Sequence, residues 1–428
     1  MDKTITTNTE RRDIMSLMEE LEKEHAKDGM FDSSDIGMSY PLGFPILDQM
    51  LGFKQSITLP DGTEIIQKRL GVPAGTITEF VGPSQSGKTA AAIQAAYNIT
   101  EPFADDAIIL HFDAEGSTEA QRVLDLTGMN VEEYRNRYKL MDKAEKMTFE
   151  NILKSIVELG KFKKERKELL TYDTGCYDIH GNKIFHYVPS VVILDSLMRI
   201  TPDSTEMDKI EGLTSGGRDA IFRGKFLRNI LAVGREYNIN IFIINHYADE
   251  MNMNPMQPKA KKLIHIPTGK TIPGGDKNLY YITSLVVFNP VNSKDQVKHE
   301  EEEGYNGRPV KALIAKSRSG PGGYTALLEF VEEAGYDPRF TLLNLAKDKG
   351  LIQGRNPKCY FVSNPDVKFD TRIFLKELTE NPDILRALFE GCKPILDSML
   401  REPVSEDDFM RGRNTRIQTR GLMKDLYS

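Results

Sequence analysis

The chain contains no tryptophan, only three cysteines in 428 residues, and no apolar run of membrane-spanning length. Each absence narrows the field. Cys176, Cys359 and Cys392 have neither metal-knuckle nor disulfide-framework spacing, which suits a reducing cytoplasm. With no signal-peptide pattern and no spanning segment, a membrane is not an expected partner. Positive charge is also in short supply: 56 Lys and Arg stand against 63 Asp and Glu, a formal net charge of −7. That excludes a surface coated in positive potential but leaves room for a basic groove on one face. The length suits one large core with smaller terminal elements.

What is present is concentrated in a few places. The run Ile77-Thr78-Glu79-Phe80-Val81 reads as a strand, and Gly82-Pro83-Ser84-Gln85-Ser86-Gly87-Lys88-Thr89 follows it directly. Ala90 then opens an alanine-rich helical stretch whose small side chains allow close approach to a sheet. Strand, glycine-rich turn and helix in that order form a phosphate cradle. Backbone N–H groups and the helix N-terminus face the anion, Lys88 reaches the β- and γ-phosphates, and the Thr89 hydroxyl is placed to ligate Mg²⁺. The expected cofactors are therefore ATP and Mg²⁺.

Two further short apolar runs end in carboxylates. Ile108 to Phe112 leads into Asp113-Ala114-Glu115, and Val191 to Leu194 leads into Asp195-Ser196. Open α/β sheets place their ligands at such C-terminal strand ends. Asp195 is read as the partner of Mg²⁺ through a coordinating water, and Glu115 as the general base for the attacking water. The alternative for each acid, most plainly for Asp113, is to cap the structure that follows it. A fourth run, Ile239 to Ile244, ends at Asn245-His246. His246 is the candidate γ-phosphate sensor, against the plainer role of a strand-end histidine bonded to backbone.

The ordered set of phosphate loop, Asp-Ala-Glu, Asp-Ser and Asn-His is followed by Gly274-Gly275, Lys316-Ser317-Arg318 and Gly335-Tyr336-Asp337-Pro338. This set resembles the RecA family of recombinases, and within it the phage-type branch, which also carries histidine where the bacterial protein has glutamine. The resemblance covers roughly residues 40 to 355, and its specificity lies in the order, since the phosphate loop alone is shared by many unrelated ATPases. It implies an α/β fold with a RecA-like P-loop core, a central mostly parallel sheet and flanking helices. It also implies DNA-dependent ATP hydrolysis, and strand exchange by a helical filament of this chain on single-stranded DNA that samples double-stranded DNA. Single-strand-binding and mediator proteins are implied as further partners.

Carried over residue by residue, Lys316 and Arg318 match basic residues that reach across the subunit interface to the neighbour's nucleotide. Their alternative is an ordinary solvent-facing pair on a strand. Two segments match the family's DNA-binding loops. One runs from Arg199 to Arg218, the other from about Tyr247 to Thr271, with Lys259, Lys261, Lys262 and Lys270 placed to neutralise phosphates and Met251, Met253 and Met256 placed to pack against bases. The family often stacks an aromatic ring on adenine near residue 119. Here Glu119 and Arg122 stand instead, which leaves base selectivity open.

The remaining segments form a frame. Residues 10 to 26 read as an amphipathic helix, which the resemblance places against the next protomer. Residues 171 to 190 contain a hairpin insertion turning around Asp178 to Lys183. Helices are expected around Phe374-Leu378 and Ile384-Phe389, and the end is basic, with Arg411, Arg413, Arg416 and Arg420. The expected organisation is 1–45 for oligomerisation, 46–355 for the ATPase and DNA-binding core, and 356–428 for a helical extension with a basic tail. The competing classes are a ring-forming helicase motor of the same core and a non-enzymatic paralogue that modulates a recombinase. The intact Lys88, Glu115 and Asp195 argue against the latter.

Overall fold

The computed structural model describes residues 38–143, 146–203, 215–249, 270–271, 279–291, 307–320, 322–403 and 410–411. The helix expected over residues 10 to 26, Gly274-Gly275 and the tail arginines beyond Arg411 lie outside the described residues. So does most of both DNA-loop candidates, including Lys259, Lys261 and Lys262.

A nine-stranded mixed sheet forms the centre. Its strands in chain order are β1 (Ile77–Gly82), β2 (Ile109–Asp113), β3 (Tyr138–Met141), β4 (Ser190–Asp195), β5 (Ile239–His246), β6 (Ser284–Pro290), β7 (Gly307–Ser317), β8 (Thr325–Val331) and β9 (Gly335–Tyr336). The spatial order is β9-β8-β7-β6-β1-β5-β4-β2-β3. From β6 to β3 all neighbours run parallel. From β6 to β9 they alternate as an antiparallel wing. Strands β1 and β4 are buried along their whole length. Near-continuous apolar runs are what a parallel strand covered on both faces requires.

Helix α1 (Lys88–Thr100) carries β1 across to β2, and α4 (Ser215–Tyr237) carries β4 back to β5. The two crossovers run in opposite directions along the sheet, so right-handed connection puts their helices on opposite faces. On the α4 face, Phe226, Leu227 and Ile230 meet Ile77, Val81, Ile241, Ile243, Leu285 and Val287. Helix α3 (Phe149–Glu165) adds Phe149, Ile152 and Ile156 to the same core. On α1 the buried alanines at 90, 91, 92, 95 and 96 let the helix lie close against β4, β5 and β1. Among the described residues no helix is long and apolar enough to cross a membrane.

The insertion forms a hairpin, Thr171–Tyr177 paired with Lys183–Tyr187. It meets a second hairpin, Phe53–Thr58 with Glu64–Arg69, through Arg69, which donates to the Tyr177 carbonyl at 3.0 Å. Helix α5 (Pro338–Asp348) leads to the C-terminal module, which contains the two expected helices, Phe374–Glu380 and α6 (Pro382–Met399). It also contains a three-stranded antiparallel sheet over Ile352–Arg355, Lys358–Phe361 and Asn364–Phe369, which the helical reading of this region did not include. That sheet straddles residue 355. Its strands are short and mostly polar, with only Cys359, Phe361 and Phe369 turned inward, so period-two patterning is faint in the linear sequence.

One buried cation ties the parallel half together. Lys163, in the last turn of α3 and 2% exposed, donates to the carbonyls of Val188 (2.7 Å), Tyr237 (2.9 Å) and Asn238 (3.2 Å). It thereby joins α3 to the entrances of β4 and β5. Burial pushes its amine down to about 7. Lys163→Met keeps the apolar stem but takes the donor from the Val188 and Tyr237 carbonyls, while the Asn238 carbonyl keeps the Ser190 amide, and urea denaturation is expected to show a loss of about 2–4 kcal/mol. A loss below about 0.5 kcal/mol would place Lys163 among neutral surface positions instead.

Candidate nucleotide site

The site is built where β1, β5, β4 and β2 end. Because these strands are parallel and in register, Gly82 lies beside His246 and Asp195 beside Asp113. Strand β5 sits between the phosphate-loop strand and the Asp195 strand, which brings His246 out between them.

The loop after β1 turns through Gln85, with φ 60°, and Gly87, with φ 81°, before α1 begins at Lys88. A side chain at Gly87 would place its Cβ 2.7 Å from the Tyr336 hydroxyl, so this position requires glycine for space as well as for backbone. Among the described residues, the amides of Ser86, Gly87, Lys88 and Thr89 make no backbone hydrogen bond. The first amides of a helix have no intrahelical acceptor and offer themselves to an anion. The Lys88 amine donates to the Pro83 carbonyl at 2.7 Å and reaches the Ser86 hydroxyl at 3.4 Å. Burial lowers it to about 8.

Thr89 donates its hydroxyl to Asp195 Oδ2 at 2.8 Å. Burial, reinforced by Glu115 and Asp113, pushes the Asp195 carboxyl up to about 7. A hydroxyl and a carboxylate converging beside unpaired amides fit Mg²⁺, which keeps several waters and takes few protein ligands.

Asp113 and Glu115 have separate tasks. The Asp113 carboxylate accepts from the amides of Glu115 (3.1 Å), Gly116 (2.9 Å), Ser117 (2.8 Å) and Thr118 (2.7 Å), which makes it the staple of the turn. The turn in turn presents Glu115. Its Oε1 accepts from the Ser196 hydroxyl at 2.9 Å and lies 3.4 Å from His246 Nε2. Its side chain is 25% exposed and that of His246 is 42% exposed, so both are accessible from the cleft.

The cleft holds about 560 Å³ and is lined by residues 84–90, Glu115, Arg122, Asp195 and His246. Gly82 and Pro83 form the base of the loop and do not line it. Glu119 also stays outside, as the exposed residue preceding helix α2 (Ala120–Thr127). The opposite wall comes from the wing, with Arg308, Phe330 and Glu332, and sequence reasoning did not find these. Arg308 lies eight residues before Lys316 on the same strand, and only the antiparallel pairing reveals that it ends at the loop.

Lys316 and Arg318 lie at the other end of the sheet. There Lys316 donates to the carbonyls of Ile282, at 2.9 Å, and Leu279, and Arg318 donates to that of Tyr280. They do not line their own chain's cleft. Arg199 is exposed at the end of a short turn after Asp195. Arg218 falls within α4, and Lys270 falls in a two-residue strand paired with Ala248–Asp249.

No protein-family model matches the chain. It is similar to the protein RecA of Streptococcus mutans serotype c, 24% identical over 315 residues that cover 73% of this chain and 69% of that protein. The chromosomal RecA of Lactococcus lactis subsp. lactis is 24% identical over 288 residues, 66% of this chain and 61% of that one. The RecA of Bacillus licheniformis is 24% identical over 357 residues, 82% of this chain and 87% of its own length. The crystal structure of the RadB recombinase aligns with 62% of this chain and 92% of its own, at 19% identity and a TM-score of 0.36. Thus the chain spans only about two thirds of the length of the first two relatives, and no comparison singles out a phage-type branch. A mixed sheet, parallel around its phosphate-loop strand, flanked by helices and similar in sequence to RecA proteins, gives this chain the fold of a RecA-like P-loop ATPase core.

Proposed function

We propose that this chain is a DNA-dependent ATPase of the recombinase type, acting in DNA recombination and repair as a helical filament on single-stranded DNA, and that it is of the phage-type, UvsX-like kind. The observation that carries the reading is the cleft in which Lys88, the Thr89–Asp195 pair and the Glu115–His246 contact converge. The similarity to RecA proteins supports the recombinase over other motors of the same core.

In this reading the loop amides and Lys88 hold the β- and γ-phosphates of ATP, and Thr89 with Asp195 holds the Mg²⁺. Held by those two residues, the ion would supply positive charge against the negative charge that develops on the transferring phosphoryl group. Glu115, oriented by Ser196, accepts the proton of the attacking water. His246, touching Glu115 and standing at the start of the second loop candidate, senses the γ-phosphate. Lys316 and Arg318, remote from their own cleft, act on the nucleotide of the next protomer, so turnover depends on assembly. The filament then stretches single-stranded DNA and exchanges it with a homologous duplex. The loops bearing Arg199, Arg218, Lys259, Lys261, Lys262 and Lys270 hold the DNA backbone, and mediator and single-strand-binding proteins govern loading.

ATP hydrolysis with and without single-stranded DNA, imaged in parallel by negative stain, tests this directly. Strong stimulation with open helical filaments is expected. Closed rings would favour a helicase motor, and absence of assembly would favour a modulating paralogue. Glu115→Gln is expected to keep nucleotide binding and assembly while slowing turnover by about two orders of magnitude, the usual worth of a general base. Parental turnover in that variant would remove Glu115 from the role.

Nucleotide binding is expected to depend on pH through two groups of the cleft. A Mg²⁺-nucleotide needs Asp195 ionised and Lys88 protonated. With Asp195 raised to about 7 and Lys88 lowered to about 8, affinity should be greatest between those values. It should fall by up to about tenfold per pH unit on either side. Asp195→Asn should abolish the acid limb alone, as read from the dissociation constant of a fluorescent nucleotide against pH.

A further inference from the structure

The wing contributes more to the cleft than a wall. Arg308, the second residue of β7, donates from Nη2 to the Gln85 carbonyl at 2.6 Å. Tyr336, in β9, donates its hydroxyl to the Ser86 carbonyl at 3.0 Å. Two successive carbonyls of the phosphate loop are therefore held by side chains from outside the loop. A trans peptide unit is planar, with its C=O and the following N–H pointing in opposite directions. Holding the Gln85 carbonyl sets the direction of the Ser86 amide, and holding the Ser86 carbonyl sets that of the Gly87 amide. Both amides lack a backbone partner among the described residues, and both residues line the cleft.

We infer that Arg308 and Tyr336 are positioning residues that preorganise the Ser86 and Gly87 amides for the β-phosphate of a nucleoside di- or triphosphate. The inference deepens the nucleotide-binding reading of this cleft and rests on it. The loop needs such support because Gln85 is a non-glycine residue at φ 60°, a conformation that persists only where its surroundings over-determine it.

The two holders are themselves fixed. The Arg308 guanidinium lies 5.1 Å from the centre of the Phe330 ring, and its Nη1 is 2.7 Å from Glu332 Oε1. Tyr336 is 3% exposed and sits among the rings of Phe44, Phe288 and Phe330 at 5.4, 5.7 and 5.0 Å. Its amide donates to Gln94 Oε1 of α1 at 2.8 Å, so the strand that holds the loop is clamped to the helix the loop begins. Burial raises the phenol well above its usual range, which keeps it a donor at every physiological pH. The clash that a side chain at Gly87 would make with the Tyr336 hydroxyl records how closely the two elements fit.

Isothermal titration of ADP and AMP into the full chain and its Tyr336→Phe and Arg308→Gln variants tests the inference. AMP has no β-phosphate, so a residue that acts through those amides affects ADP alone. Each variant is expected to weaken ADP by about tenfold, the scale of one lost charge-assisted hydrogen bond or its preorganisation, and to leave AMP within about twofold. Tyr336→Phe is the deciding variant because it removes no charge. Equal weakening of both ligands, or loss of AMP binding through misfolding, would overturn the inference, as would unchanged ADP affinity in both variants. A parent chain with no preference for ADP, insensitive to Lys88→Ala, would sink the nucleotide reading itself. A preference lost in Lys88→Ala but retained in Tyr336→Phe and Arg308→Gln would sink only the role of the wing.

Discussion

The in-register parallel pairing of β1, β5, β4 and β2 is the constraint on which the site depends. It aligns Gly82 with His246 and Asp195 with Asp113, so that four connections leave the sheet along one edge. The contacts Thr89–Asp195, Ser196–Glu115 and Glu115–His246 each join residues on different connections. A one-residue slip between neighbours would turn each of these side chains to the opposite face. The register is held by apolar packing against helices on the two faces, from Phe226, Leu227 and Ile230 on one and the alanines of α1 on the other.

The parallel and antiparallel halves divide the work. The parallel half supplies the groups that would meet phosphate, metal and water: Lys88, Thr89, Asp195, Glu115 and His246. The antiparallel wing supplies none of these. It closes the cleft with Arg308, Phe330 and Glu332, and it grips the outside of the phosphate loop through Arg308 and Tyr336. The wing also carries Lys316 and Arg318 at its far end, about the length of β1 from the loop. Strand β7 thus has Arg308 for its own cleft at one end and Lys316, with Arg318 just past the strand, remote from the cleft at the other.

Several polar groups are buried beneath this edge. Glu79, on the phosphate-loop strand, is 1% exposed, accepts from the Asn245 amide next to His246, and is raised to about 7 by burial. Isolated buried carboxylates are costly, and Lys316 provides the opposing charge from the neighbouring part of the sheet. Lys163 is the corresponding buried cation at the strand entrances, and its three carbonyl partners explain how it is accommodated.

The local elements were legible because their signals are local. A glycine-rich turn between an apolar run and an alanine-rich stretch, acids at the ends of apolar runs, and turn residues at Asp178–Lys183 all act over a few residues. From these follow the phosphate loop, the strands β1, β2, β4 and β5 and the residues Lys88, Thr89, Glu115, Asp195 and His246 that gather at the cleft. The three-stranded sheet at 352–369 was missed because its strands are short and mostly polar. Arg308 was missed for a different reason. Its position at the loop follows from antiparallel return of β7 along β6, and its partner Gln85 is more than two hundred residues away. Tyr336 was visible as part of a motif, but its task was not, since nothing in Gly-Tyr-Asp-Pro says which carbonyl its hydroxyl will meet. The linear sequence determined which chemical groups this protein carries and on which turns. The tertiary structure alone decided which of them face one another, because strand order and direction are set by long-range packing that no local pattern encodes.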